Sequence, residues 1–310
     1  MRVLYLAGLG RNGSTIVSNV LGTVPGAFAV GELRSIWSHG FVTGALCGCG
    51  AVVSECLIWS EIARDHLDGV DEARAREIAA LHGRLVKIRN VRALAAGRAP
   101  KGLDSDLREY LTVLQRLYAG IHAVTGCDVI VDASKAPAYG AILAMLDGID
   151  YRTVHQVRDA RASAHSWTRE RAHTDLPGAM MPQYPPWKTA LLWNLWNVGS
   201  EQLSAHPYLR VRYEDFAGRP QQTIRQLLEF AGMGERDADW TGERSVAIVG
   251  HHMIHGNPSR GKTGSIQLRP DSDWVDSFPK TTEALIAPLV LPLQLRYGYR
   301  WGGRYPPRRP

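Results

Sequence analysis

Two segments of the chain combine residue types and spacings suited to holding anions. The first is Gly8-Leu9-Gly10-Arg11-Asn12-Gly13-Ser14-Thr15, with the glycine spacing of a Walker A loop, GxxxxGK[ST], but Ser14 where that loop requires lysine. The backbone N–H groups of such a turn, and the start of the helix after it, can cradle a phosphate, with the cation moved to Arg11 inside the loop. An ordinary triphosphate hydrolase is disfavoured, because the lysine that reaches the outer phosphates is missing. The simpler reading of this turn is a tight strand-to-helix connection. The second segment, 157–167 (VRDARASAHSW), puts Arg158 at the end of a predicted strand and Ser166 about two helical turns further on. An arginine fork and a hydroxyl facing one edge suit a second phosphate, apart from the first. The competing reading pairs Arg158 with Asp159 or a surface carboxylate.

Arg11, Glu32, Lys135, Arg158 and Tyr213 each follow closely on a predicted strand. Ligands of an open parallel sheet bind beyond the carboxyl ends of its strands, so these polar groups are expected to converge on one edge. Cys47, Cys49 and Cys56 cluster, but no CxxC and no second ligand pair accompanies them. That spacing favours packed thiols or one local disulfide over a structural zinc.

Alternating elements must carry these groups. Residues 2–7 (RVLYLA), 27–30, 128–131, 151–157 and 208–211 are short β-branched or aromatic runs that read as strands. Helical spacing follows from Ser14 or Thr15 to Gly22, again near Leu33, and over 219–232. Residues 55–126 are mostly helical, with Leu103, Leu107, Leu111, Leu114, Leu117 and Ile121 forming the clearest apolar stripe. The expected fold is α/β: a P-loop NTPase-like parallel β-sheet flanked by helices on both faces, with a largely helical insertion at about 55–126. One domain over 1–302 is expected, followed by a basic tail, 303–310, containing Arg304, Arg308 and Arg309.

Composition sets limits. With 310 residues, 45% apolar and 21% charged, the chain is neither collagenous, coiled-coil nor wholly disordered. Its longest apolar stretch, 284–295, is interrupted by Pro288 and Pro292 and too short to span a bilayer, so no membrane association is expected. The run after Met1-Arg2 is too brief for a signal peptide, giving a cytoplasmic expectation. A net charge of +6 favours an anionic ligand without separating nucleotide from nucleic acid.

GLGRNGST, VGELR, DASKAP, VRDARASAHSW and VRYEDFAGRP, in this order and spacing, resemble the sulfotransferases that use 3'-phosphoadenylyl sulfate (PAPS). The likeness is nearest to the tyrosylprotein sulfotransferases and related bacterial enzymes, and includes HHMIHGNPSRGKTGS and a closing YGYRW. It implies that Arg11, Asn12, Gly13, Ser14 and Thr15 hold the 5'-phosphosulfate and that Arg158 and Ser166 hold the 3'-phosphate. Tyr213 and the loop Arg260-Gly261-Lys262 would complete the nucleotide pocket, and adenosine 3',5'-bisphosphate would be the product. Two departures are visible: Asn12 replaces the usual serine, and the membrane anchor of the tyrosylprotein enzymes has no counterpart here, so their peptide substrate does not carry over.

Sulfuryl transfer needs in-line positioning and charge stabilisation, without magnesium in principle, and no metal is expected. In this reading Arg11 offsets charge on the leaving phosphate, Lys135 offsets the sulfuryl oxygens, and Glu32 takes the acceptor's proton. Glu32 could instead cap a helix or pair with a cation, with His39 or His251 as rival base, and Lys135 could be an exposed helix-start lysine. Asn257 would add a hydrogen bond at the sulfuryl group. Trp187, Trp193 and Trp196 could wall an acceptor site, although such a stripe, like Tyr213, is more often core. The expected activity is O-sulfation of a small hydroxylated acceptor, phenolic or a glycosylated natural product, with no nucleic-acid partner; a homodimer is compatible with the sequence. The alternatives are a P-loop kinase with a displaced phosphate cation, and a non-catalytic RNA-binding or scaffold protein using the arginines and aromatics of 297–310.

Overall fold

Val3, Tyr5 and Ala7 of β1 (Arg2–Ala7) point to one side and Leu4 and Leu6 to the other, and all are buried. A strand apolar on both faces needs cover on both, which is the pattern of a parallel sheet's interior. The structure, a computed structural model describing residues 1–301, has this arrangement. The basic tail expected at 303–310 lies outside the described residues. β1 is the middle strand of a five-stranded sheet in the order β2-β3-β1-β4-β5, with β2 at Ala27–Gly31, β3 at Val129–Lys135, β4 at Asp150–Val157 and β5 at Tyr208–Arg212. All four neighbouring pairs are parallel.

One face is covered by α1 (Ser14–Leu21) and, further along the chain, by α10 (Pro220–Phe230). The other is covered by the helical insertion, made of α2 (Leu57–His66), α3 (Glu72–Leu85), α4 (Val91–Ala95) and α5 (Asp104–Thr125), and by α6 (Pro137–Leu143). Leu107, Leu114, Leu117 and Ile121 of the predicted stripe are buried there. A third cluster joins α7 (Ala160–Thr168), α8 (Pro186–Glu201) and α12 (Lys280–Arg296), and buries Tyr297 and Tyr299. The sheet is thus α/β with a P-loop-like first turn, as the alternation of elements implies.

The structure departs from the sequence reading near Leu33 and in a small second sheet. The helix expected near Leu33 is a 3-10 turn, Leu33–Ser35, followed by a wide π-helical turn, Ile36–Val42. The helix expected over 219–232 is α10, opened by Pro220, which suits a first helical position because it cannot donate within a helix; a separate short helix, α9 (Tyr213–Gly218), precedes it. Pro288 and Pro292 lie inside α12, whose Ile286, Val290 and Leu293 pack into the third cluster. A small antiparallel sheet, β6 (Trp240–Gly242), β7 (Ser245–Ile248) and β8 (Gly264–Gln267), was not anticipated, since its strands are too short to show alternation. A short helix, α11 (Trp274–Ser277), precedes α12. Among the described residues no helix is long and apolar enough to cross a membrane.

Candidate active site

The turn after β1 can only be built with glycine at two points. At Gly8, φ is 131° and a Cβ would lie 2.4 Å from the Gln156 carbonyl oxygen; at Gly13, φ is 86° and a Cβ would lie 2.5 Å from the Tyr213 ring. Asn12 ties this turn to β4: its amide donates to the Gln156 oxygen (2.7 Å), its own side-chain oxygen accepts from Ser14 N–H (3.2 Å), and the Gln156 amide returns a bond to the Asn12 carbonyl (2.8 Å). Helix α1 starts directly after Gly13 with no side-chain cap, and the buried Ser14 hydroxyl has no hydrogen-bond partner among the described residues. An uncapped helix start with an orphaned hydroxyl is a place prepared for an anion.

Three non-glycine residues around this turn adopt left-handed backbone: Arg11 (φ 70°), Lys135 (φ 66°) and His255 (φ 44°). Such conformations cost energy and concentrate where side chains must be aimed. All three line one cavity of about 420 Å³, together with Gly13, Ser14, Thr15, Glu32, Arg34 and Asn257 at one end. The remaining lining is largely aromatic and apolar, from Trp167, Tyr184, Leu192, Trp196 and Met181. Trp167 and Tyr184 stack at 4.7 Å, and Lys188 sits over Tyr184.

Within this cavity Lys135 Nζ donates to Glu32 Oε1, and Arg34 reaches Glu32 Oε2 at 3.4 Å. Burial pushes the Glu32 carboxyl up, but Lys135, then His255 and Arg34, hold it down at about 2. Arg11 bonds Asn257 Oδ1 at 3.3 Å and lies over the Trp167 ring at 5.3 Å. Burial, followed by repulsion from Arg171, lowers its guanidinium to about 10, which leaves it charged at neutral pH. His255 Nδ1 lies 2.6 Å from the buried Asp175 carboxylate, which also meets His173 at 3.3 Å. Burial raises the Asp175 carboxyl, but the hydrogen bond and charge of His255 hold it well below the usual range.

A second cavity, about 210 Å³, adjoins the first through Arg11, Gly13 and Asn257, which line both. It is lined by Arg158, Ser166, Tyr213 and Lys262, with Arg171 and Arg269 added. Arg158 projects from the end of β4, donates to the Arg11 carbonyl (2.9 Å) and stacks on the Tyr213 ring at 4.5 Å. The Trp193 indole N–H holds the Arg158 carbonyl at 2.9 Å. The other terminal nitrogen of Arg158 pairs with Asp271 at 2.8 Å, while its buried Nε has no partner among the described residues. A buried arginine held by one loop carboxylate, with a further donor unused, fits an anionic ligand that competes with Asp271.

Arg11, Glu32, Lys135, Gly13, Ser14, Thr15, Asn257, Arg158, Ser166, Tyr213 and Lys262 therefore come together, from all five strand ends. Others expected there do not. Asn12 braces the turn from behind and lines neither cavity. Arg260 is buried and turned away, donating to the carbonyls of Leu46 and Met253, and Gly261 also lines neither cavity. Of the three tryptophans expected to wall an acceptor site, Trp196 faces the larger cavity, whereas Trp193 is core and Trp187 is exposed. His39 stacks behind His255 at 4.5 Å and His251 is buried beside Gly22, so neither faces the cavity. Lys135 is buried, not an exposed helix-start lysine. Arg34, Arg171, His255 and Asp175 went unrecognised. Arg34 stood inside the VGELR motif, but nothing local marked Asp175, which reaches the site through a loop far from any strand end.

No family model matches the chain, and no curated protein does. The structure is similar to the sulfotransferase domain from the curacin biosynthetic pathway, with a TM-score of 0.50 and 16% identity over 97% of this chain and 98% of that one. The chain has a sulfotransferase fold. A sulfotransferase domain from the Synechococcus PCC 7002 olefin synthase also aligns, with a TM-score of 0.47 and 15% identity over 97% of this chain and 96% of that one. At such identity the likeness speaks to the fold; what a sulfotransferase fold does in this chain depends on the residues in its two cavities.

Proposed function

We propose that the chain is a sulfotransferase that moves a sulfuryl group from PAPS to a hydroxyl of a small acceptor. The observation that carries this is the pair of adjoining cavities sharing Arg11, Gly13 and Asn257, one rich in cations and the other holding a carboxylate–lysine pair beside an aromatic wall. A donor with anionic groups at two separated points fits the two sets of unused donors, at Ser14 and at Arg158. When bound, PAPS supplies an activated sulfuryl group on a phosphate leaving group.

The chain's own residues have divisible tasks. Arg158, Ser166, Tyr213 and Lys262 would hold the 3'-phosphate and ring end, and Gly13, Ser14, Thr15 and the start of α1 the 5' end. Arg11, between the cavities, carries the charge that stabilises a developing anion there. Glu32 accepts the proton of the acceptor hydroxyl at a carboxylate oxygen. A carboxyl at about 2 is a weak base, but Lys135 is what chiefly offsets burial, so drawing the ammonium towards an anion lets burial raise the carboxylate's basicity. The aromatic wall of Trp167, Tyr184 and Trp196 suits a flat or glycosylated acceptor and excludes water.

One alternative assignment of the base has an observation behind it: His255 faces the cavity and is oriented by Asp175, the geometry of a carboxylate-held general base. Calorimetry with adenosine 3',5'-bisphosphate tests the proposal without knowledge of the acceptor. The native chain should bind it, Arg158→Ala should bind about 10- to 100-fold more weakly, and Glu32→Gln should bind it unchanged. Absence of binding by the native chain, or equal binding by Arg158→Ala, refutes the donor assignment. Turnover retained by Glu32→Gln and lost in His255→Asn would transfer the base to His255.

A further inference from the structure

We propose that Cys47, Cys49, Cys56 and His252 form a structural zinc site, separate from both cavities. The spacing of the cysteines alone had favoured packed thiols or a disulfide for want of a fourth ligand; folding brings that ligand from 196 residues beyond Cys56. The four donor atoms lie within 4.8 Å of one another. Cys49 and Cys56 sulfurs are 3.7 Å apart, and His252 Nδ1 is 3.1 Å from Cys56 Sγ and 4.0 Å from Cys47 Sγ. Zinc bonds of about 2.3 Å to sulfur and about 2.0–2.1 Å to nitrogen put the corners of a tetrahedral site roughly 3.8 Å apart between sulfurs and roughly 3.5 Å from nitrogen to sulfur. The observed separations straddle these edges, and all four cysteines of the chain are free thiols.

The backbone around the ligands is shaped to present them. Cys47 N–H bonds the Ala51 carbonyl (2.8 Å) and Gly50 N–H returns to the Cys47 carbonyl (2.9 Å), closing a tight knuckle in which Gly50 takes φ 92°. A Cβ on Gly48 would lie 2.3 Å from the His251 carbonyl oxygen, so only glycine lets the knuckle approach the histidine segment. Backbone N–H groups of Cys49 point to the Cys47 sulfur, and those of Ile58 and Trp59 to the Cys56 sulfur, the outer bonds that orient thiolate ligands. Three thiolates and one imidazole leave no open position, which is the pattern of a structural site. Three thiolates with one divalent ion carry one net negative charge, and the buried Arg260 guanidinium lies alongside, donating to the carbonyls of Leu46 and Met253 next to two of the ligands.

The site has a mechanical consequence. Gly48 N–H bonds Met253 O (3.0 Å), Ile254 N–H bonds Val30 O (2.9 Å), and Glu32 N–H bonds Ile254 O (2.7 Å), so the segment after His252 is joined to the end of β2 by a parallel bridge at Gly31 and Ile254. An ion at His252 clamps the segment that holds Glu32 by its backbone and delivers His255 and Asn257 to the cavity.

The test is metal analysis of the full chain purified without chelator. One zinc per chain is expected, retained in Cys127→Ser and lost in Cys49→Ser, whose exposed thiol can be changed without opening the core. Replacement of zinc by cobalt should give the intense thiolate-to-metal absorption and tetrahedral d–d bands of a three-sulfur site, a readout on the native chain that does not depend on any variant folding. Absence of stoichiometric zinc, equal zinc in Cys49→Ser and Cys127→Ser, a disulfide between two of these cysteines in a peptide map, or an octahedral cobalt spectrum would each overturn the proposal.

Discussion

Lys135 restrains a carboxyl that burial would otherwise push up, and this contact sets how the site responds to acid. With Glu32 at about 2, against about 4.3 in an unfolded chain, the pair contributes stability above roughly pH 4 that is lost as pH falls through 2. Activity of the native chain should therefore not decline on account of Glu32 between neutral pH and the onset of acid unfolding. In Lys135→Met burial prevails and the carboxyl rises, so the acid limb of the kcat/KM profile should move towards neutral pH; coincident limbs in the two proteins would remove this assignment. Glu32→Gln should lower kcat by about 10²- to 10⁴-fold while leaving bisphosphate affinity within about twofold, measured by turnover and calorimetry side by side. The types of these residues were readable from the chain. Their partners were not: that Arg158 is held by Asp271, and His255 by Asp175, follows from loops whose paths no local pattern dictates.

Strand β3 shows how an element aims a side chain. Its pairing with β1 steps from Tyr5↔Asp132 to Ala7↔Lys135, so one extra residue is inserted on β3 just before the lysine. Asp132 stabilises that bulge by accepting from Ser134 N–H (2.7 Å) and from the Tyr118 hydroxyl. Burial raises the Asp132 carboxyl to about 6. A group raised in the folded state adds stability below its unfolded value of about 3.9 and loses it as pH rises through 6. Relative to Asp132→Asn, the native chain should lose about 2 kcal/mol between about pH 4 and pH 7, read from urea unfolding at both pH values; parallel pH dependences would contradict it. The start of α1 gives a second case at this scale. Gly13→Ala would press a Cβ into Tyr213 at a left-handed position, so it should weaken bisphosphate binding and lower Tm together. The existence of these strands was legible from apolar runs bounded by glycines, whereas a one-residue bulge leaves no periodicity to detect.

Across the whole molecule, Arg161 is the tie between the end of β4 and the C-terminal helix. Its buried guanidinium bonds Asp159 (2.8 Å), Glu283 of α12 (2.8 Å) and the Arg300 carbonyl (3.3 Å), and lies 4.9 Å over both the Trp274 and Trp301 rings. Removing one partner from a buried ion cluster leaves uncompensated charge, so Arg161→Met should cost about 3–5 kcal/mol in urea unfolding. Retention of native stability would show that the cluster contributes nothing net.

Strand ends bearing Arg11, Glu32, Lys135, Arg158 and Tyr213 could be located without coordinates, because parallel strands and the turns after them are specified by short-range apolar patterning and by glycine. The same patterning located the insertion and the P-loop-like turn. Long-range geometry was needed for everything that depends on which loops meet: the exclusion of Arg260 from the pockets, the selection of Trp196 from the tryptophan run, and the meeting of three cysteines with His252. Contacts between loops are set by the packing of the elements beneath them, and that packing is a property of the assembled chain rather than of any window within it.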